Sequence, residues 1–120
     1  MTYSRKAFQR ARRDIRDLLS TPVQAWMLVP PSRRTDAMYR DLLTVPLDLA
    51  AAGYAVTVSQ TEHGWCLEMR HAFMDGYELT LYGEARSWAA CLWQLAEDAG
   101  TAIDDLQHKA RRESERKEAA

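Results

Sequence analysis

YAVTVSQTEHGWCLEMRHAFMDGYELTLYGEA, residues 54–85, is where the hydrophobic period of the chain changes from that of a helix to that of a strand. In YAVTVSQ, Tyr54, Val56 and Val58 share one face. In GWCLEMRH, Trp65, Leu67 and Met69 alternate with Cys66, Glu68 and Arg70. In YELTLYG, Tyr77, Leu79 and Leu81 alternate with Glu78, Thr80 and Tyr82. His63-Gly64 and Asp75-Gly76 are turn signals between these runs. The pattern predicts a three-stranded antiparallel meander with one apolar and one polar face. The apolar face has to be covered by something, and the flanking sequence supplies helices.

Upstream, Ser32 or Thr35 can cap a helix in which Met38, Leu42, Val45, Leu49 and Ala52 recur at helical spacing. Pro46 lies inside that pattern and is expected to kink or divide the helix near Thr44, and Gly53 is placed to end it. Downstream, Ser87 can cap a helix whose buried stripe is Trp88, Leu92, Leu95 and Ala99. Gly100 is expected to stop this helix, and Thr101 with Asp104 resembles a capping box opening another, with Ile103, Leu106 and Ala110 on its apolar side.

At the N-terminus, residues 4–19 read as an amphipathic helix buried through Phe8, Ala11, Ile15 and Leu18, with Leu19 beside them. Ser20-Thr21-Pro22 is expected to end it. The run VQAWMLV, residues 23–29, is too short for periodicity to decide between strand and helix, and Thr21-Pro22 could equally open a helix there.

The expected fold is therefore α+β. It is a three-stranded antiparallel meander, four-stranded if residues 23–29 join it, with helices packed on one face in the order α-α-β-β-β-α-α. Residues 1–110 form the single domain. Residues 111–120 carry alternating charges and no apolar stripe, the pattern of a frayed tail.

The chain has 120 residues, of which 47% are hydrophobic and 28% charged, a balance that argues against disorder and suits one self-sufficient core. No apolar run is long enough to span a membrane, and no signal-peptide pattern opens the sequence, so a cytoplasmic location is expected. With two cysteines, Cys66 and Cys91, there is no disulfide framework, and two reduced, packed thiols are expected.

The formal net charge of −1 hides a strong asymmetry. Residues 1–40 carry nine basic against three acidic side chains, and residues 41–83 one against six. Such a molecule steers toward a charged partner or a second copy of itself, so a homodimer fits the pattern.

Little catalytic chemistry is legible. His63 and Cys66 could be half of a metal site, but no second ligand pair completes it, and no glycine-rich phosphate loop exists, so neither metal nor cofactor is expected. Cys66 with His63 or His71 would make a small cysteine-dependent enzyme, although no nucleophile signature surrounds it. The stronger cue is for non-enzymatic binding. Arg5, Arg12, Arg13, Arg16, Arg33 and Arg34 are candidate interface residues, with Trp26 and Trp93 as candidate aromatic anchors for another protein. The same basic helix could neutralise nucleic-acid phosphates, although Asp14 and Asp17 interrupt it, and a plainly solvated face is the third option.

Residues 35–99 run helix, three strands, helix, an order similar to the double-stranded-RNA-binding domain. That family grips phosphate with a lysine cluster where this chain has Ser87-Trp88-Ala89-Ala90-Cys91, so no residue role carries over. LTLYGEARSWAACLWQLA, residues 79–96, a strand ending in Gly-Glu-Ala that leads into an alanine-rich helix, resembles small phage and mobile-element proteins. The resemblance spans residues 54–99 and implies a small binding module of the kind that includes anti-CRISPR inhibitors of bacterial defence complexes, acting by steric blocking.

Overall fold

The computed structural model describes residues 3–74 and 77–119; the expected Asp75-Gly76 turn lies outside them. The architecture is α+β, with helices against one face of an open three-stranded antiparallel sheet.

Helix α1 (Arg5–Ile15) starts at Ser4, whose Oγ accepts the Ala7 N–H at 3.3 Å, and it buries Phe8, Ala11 and Ile15. It does not end at Ser20-Thr21-Pro22. A π-helical turn (Arg16–Ser20) joins it directly to α2 (Thr21–Leu28). The Thr21 N–H donates to the Arg16 carbonyl, five residues back. This widened turn accommodates Pro22, which brings a bulky ring and no N–H, without ending the helix. Residues 23–28 are thus helical, and the fourth strand does not form.

After a 3₁₀ turn (Pro31–Arg33), Thr35 and not Ser32 caps α3 (Asp36–Ala51), its Oγ1 accepting the Met38 N–H at 3.2 Å. Pro46 does not divide α3. A proline here leaves the Leu42 carbonyl, four residues back, without its helical donor. The buried Trp88 indole takes that place, Nε1–H donating to Leu42 O at 2.8 Å. The end of α3 is as the sequence implies. Gly53 adopts φ +103°, its N–H donates to Ala50 O, and the Tyr54 N–H donates to Leu49 O, both at 3.1 Å. This left-handed closure needs a residue without a Cβ penalty.

The meander runs β1 (Ala55–Thr61), β2 (Gly64–Met74), β3 (Tyr77–Ala85), with β2 in the middle. Val58 lies opposite Leu67, and Met69 opposite Leu81, on the helix-facing side. A register irregularity between Ala72 and Met74 falls at Phe73, which stacks on Phe8 of α1 with ring centroids 4.7 Å apart.

Ser87 caps α4 (Trp88–Ala119), its Oγ accepting the Ala90 N–H at 3.1 Å. Gly100 does not stop this helix and Thr101 does not start another, so, with α1, the π-helical turn and α2 counted as one continuous helix, the order is α-α-β-β-β-α. Leu95, Ala99, Ile103 and Ala110 keep one buried stripe in phase through the glycine, and that packing overrides the local propensity. Asp104, expected in a capping box, instead pairs with Arg12 of α1 at 2.5 Å. Residues 111–119 continue the helix, and the Tyr77 hydroxyl donates to Glu113. The core between layers is built from Phe8, Leu19, Leu42, Leu49, Leu67, Met69, Leu92 and Leu95. No described helix is long and apolar enough to cross a membrane.

Candidate interaction surface

Helix α3 is apolar over two neighbouring stripes. Leu42, Val45 and Leu49 form the buried one. Tyr39, Leu43 and Leu47, each four residues apart, form the other, and they stand in solvent at 38%, 46% and 70% exposure. The end of α2 adds Met27 and Leu28, at 46% and 83%. Single exposed leucines are ordinary, but five large apolar side chains on one helix pair are the composition of an interaction surface.

The joint between α2 and α3 is held by ring packing and by hydrogen bonds from Arg34. The Trp26 and Tyr39 rings lie 5.6 Å apart. The Arg34 guanidinium sits 4.8 Å over the Trp26 ring, and its Nε donates to both Trp26 O and Val29 O at 3.1 Å. Arg34 therefore satisfies carbonyls at the α2 terminus and clamps Trp26, and both are engaged within the molecule. Arg33 is exposed on the adjoining 3₁₀ turn.

The other sequence candidates lie elsewhere. Arg5, Arg12, Arg13 and Arg16 are on α1 and its π-helical continuation. Arg12 is held by Asp104 and Arg16 by Asp17 at 2.9 Å, whereas Arg5 and Arg13 are exposed and make no ion pair among the described residues. Trp93 lies on α4, half-buried against the core. The eight candidates thus fall into separate groups: Trp26, Arg33 and Arg34 gather at the α2–α3 joint, Arg5, Arg12, Arg13 and Arg16 lie along α1 and its continuation, and Trp93 lies on α4. The signal that sequence reasoning passed over is the second apolar stripe, Tyr39, Leu43 and Leu47, legible as a helix with more apolar positions than one face can hold.

The remaining polar clusters are small. Cys66 is buried on the open face of the sheet, with the Tyr82 hydroxyl 3.3 Å from its Sγ. The same hydroxyl donates to Glu84 at 3.0 Å, and the Cys66 and Glu84 contacts together push the Tyr82 phenol pKa up. The histidines named with Cys66 are engaged away from it. His63 pairs with Glu62 at 3.2 Å in the exposed hairpin turn. His71 packs on the helix-facing side, its ring 4.7 Å from Tyr54 and 5.1 Å from Phe73. Burial pushes the Cys91 thiol up to about 11, which suits an inert core thiol donating to Gly83 O at 3.2 Å.

Between α1 and the start of the sheet, Arg10, Asp14, Tyr54 and His71 line a cleft of about 210 Å³. This is below the ~300 Å³ at which small-molecule sites begin. The Tyr54 hydroxyl donates to Asp14 at 3.4 Å, and burial with the Asp14 charge raises its pKa to about 12. Among the described residues no cluster of three metal-ligating side chains occurs.

No family model, curated protein or solved structure matches this chain.

Proposed function

We propose that this protein is a non-enzymatic binding module that docks on another protein through the α2–α3 face. The carrying observation is the exposure of Leu28 and Leu47 together with Leu43, Met27 and Tyr39 on a helix pair fixed by the Arg34–Trp26 clamp. Burying an exposed leucine in a partner's pocket is worth about 1.5–3 kcal/mol, so the five apolar side chains together contribute on the order of 10 kcal/mol against the cost of association. Preformed anchors also avoid the ordering cost that a mobile loop would bear. Arg33 and Arg40 border the face and would steer an acidic partner. An inhibitor of a bacterial defence complex, as the mobile-element resemblance implies, would act through such a face by covering a functional surface.

The test is capture from native lysate by the tagged protein and by its Leu28→Asp and Leu47→Asp variants, with and without nuclease. Both leucines are exposed, so the variants should fold with unchanged circular dichroism. A discrete protein retained after nuclease by the parent, and lost by both variants, supports this reading. Retention of that protein by both variants overturns it. Loss of all bound material on nuclease treatment moves the contact to nucleic acid, with the exposed Arg5 and Arg13 as its first residues.

A further inference from the structure

The two outer edges of the sheet are unequal. On β3, the Glu84 N–H is already taken by Gln94 Oε1 of α4 at 2.8 Å. β3 also carries Glu78 and Glu84, three residues either side of Leu81 at its centre. Pairing β3 with its own copy about that centre would set Glu78 against Glu84 of the partner subunit, twice. Like charges directly opposite oppose pairing. On β1 none of these protections exists. AVTVSQT, residues 55–61, contains no charge and no proline, its register against β2 is regular throughout, and no other described segment hydrogen-bonds its backbone. Natural edge strands are normally blunted by charge, proline, bulges or a covering element.

The alternation of an antiparallel ladder says which groups are free. Glu62 and His63 form a two-residue loop, so Thr61 and Gly64 close the ladder. The peptide groups of Ala55, Thr57, Ser59 and Thr61 then turn toward β2, and those of Val56, Val58 and Gln60 turn outward. Val58, the middle residue of β1, is also 42% exposed on the helix-facing side, although it lies opposite the fully buried Leu67. The helix layer stops short of the outer edge there.

We infer that β1 is a dimerisation edge. A second copy of this chain pairs with it antiparallel about a two-fold axis at Val58, making one continuous six-stranded sheet. In that register Val58 exchanges both backbone hydrogen bonds with its own copy. Val56 meets Gln60 of the partner subunit, Thr57 meets Ser59 of the partner subunit, and no charge faces another. The contact is self-complementary and closes on itself, so it stops at a dimer. This proposal rests on different observations from those that carry the α2–α3 face.

Sedimentation velocity over a concentration series tests it on the full chain. The parent is expected to dimerise. Val58→Lys and Val58→Glu are each expected to weaken the dimer about tenfold or more, because residue 58 meets its own copy, and mixing the two variants should restore association as a heterodimer. Under mild oxidation Val58→Cys should crosslink to a dimer, whereas Thr80→Cys, exposed on β3, should not. Circular dichroism confirms that each variant is folded, and Leu47→Asp should leave the dimer intact. A parent that stays monomeric to about millimolar concentration overturns the proposal. So does a dimer that survives Val58→Lys, or one that Leu47→Asp abolishes while Val58→Lys leaves it alone.

Discussion

Two glycines of this chain demand opposite things of a methyl group. A Cβ on Gly83 would lie 2.6 Å from the Cys91 carbonyl oxygen, because α4 crosses β3 in backbone contact there. Gly83→Ala must push the helix off the sheet, and it is expected to destabilise by about 1–3 kcal/mol. A Cβ on Gly100 would meet nothing within 4 Å. Gly100→Ala removes a costly helical glycine at no steric charge and should stabilise by about 0.5–1 kcal/mol. Urea unfolding midpoints moving in opposite directions would bear out both. The titratable groups act at the same scale. The Tyr54 phenol ordinarily titrates at 10.0 and is raised to about 12 in the fold, and the Cys91 thiol goes from 9.0 to about 11. Both fold best in their neutral, protonated forms. Their contribution is intact below pH 9, erodes as pH rises through 9–11 for Cys91 and 10–12 for Tyr54, and is gone above that. Stability should therefore fall on the alkaline side, by on the order of 1–2 kcal/mol for each group once solvent screening is allowed for. Tyr54→Phe should flatten the decline above pH 10, and an unchanged slope in that variant would refute the assignment.

Elements were legible where the pattern and the packing agree, and illegible where packing overrules a local signal. The meander has two chemically distinct faces along every strand, so a slip of one residue would expose a whole apolar row, and its reading from sequence is secure. Thr35, Ser87 and Gly53 do at the helix ends what their side chains, or lack of one, dictate. Pro22, Pro46 and Gly100 do not break their helices, and each is accommodated by a contact invisible to local reading: a π-helical turn, an indole donor, and an in-phase buried stripe. The candidate site was half legible. The arginines and Trp26 are evident as types, but that Asp104, Asp17 and the α2 carbonyls engage three of the arginines depends on tertiary placement. The Pro46–Trp88 arrangement is testable as a coupling. Trp88→Phe leaves the Leu42 carbonyl without a donor and shortens a ring that also packs edge-on against Trp65 at 5.5 Å. It should cost about 2–4 kcal/mol. Pro46→Ala restores a backbone N–H to that carbonyl, so it should help the Trp88→Phe protein about 1 kcal/mol more than it helps the parent. Additive effects of the two substitutions would mean that the indole does not stand in for the missing amide.

At the scale of the molecule, one helix sets the outline. The structure measures 60 × 27 × 22 Å, and α4, 32 residues and about 48 Å long, is its longest element. Its apolar stripe ends at Ala110, the last buried residue among those described, and the only side-chain hydrogen bond beyond Arg111 among the described residues joins Glu113 to Tyr77. The rest of the helix projects into solvent with charges on every side. An isolated helical turn without a buried face contributes almost nothing to stability, because propagation in water is close to neutral. Ending the chain after Ser114 should therefore shift the unfolding free energy by less than about 0.5 kcal/mol. Ending it after Ile103 removes Leu106 and Ala110 from the layer that covers β3, together with the Tyr77–Glu113 contact, and should cost several kcal/mol, about 2–4 by the area and cavity lost. Urea midpoints of the two truncations decide between a helix stabilised only by the core and one stabilised along its whole length. A large loss from the first truncation would mean that residues 115–119 pack on something, which their exposure argues against.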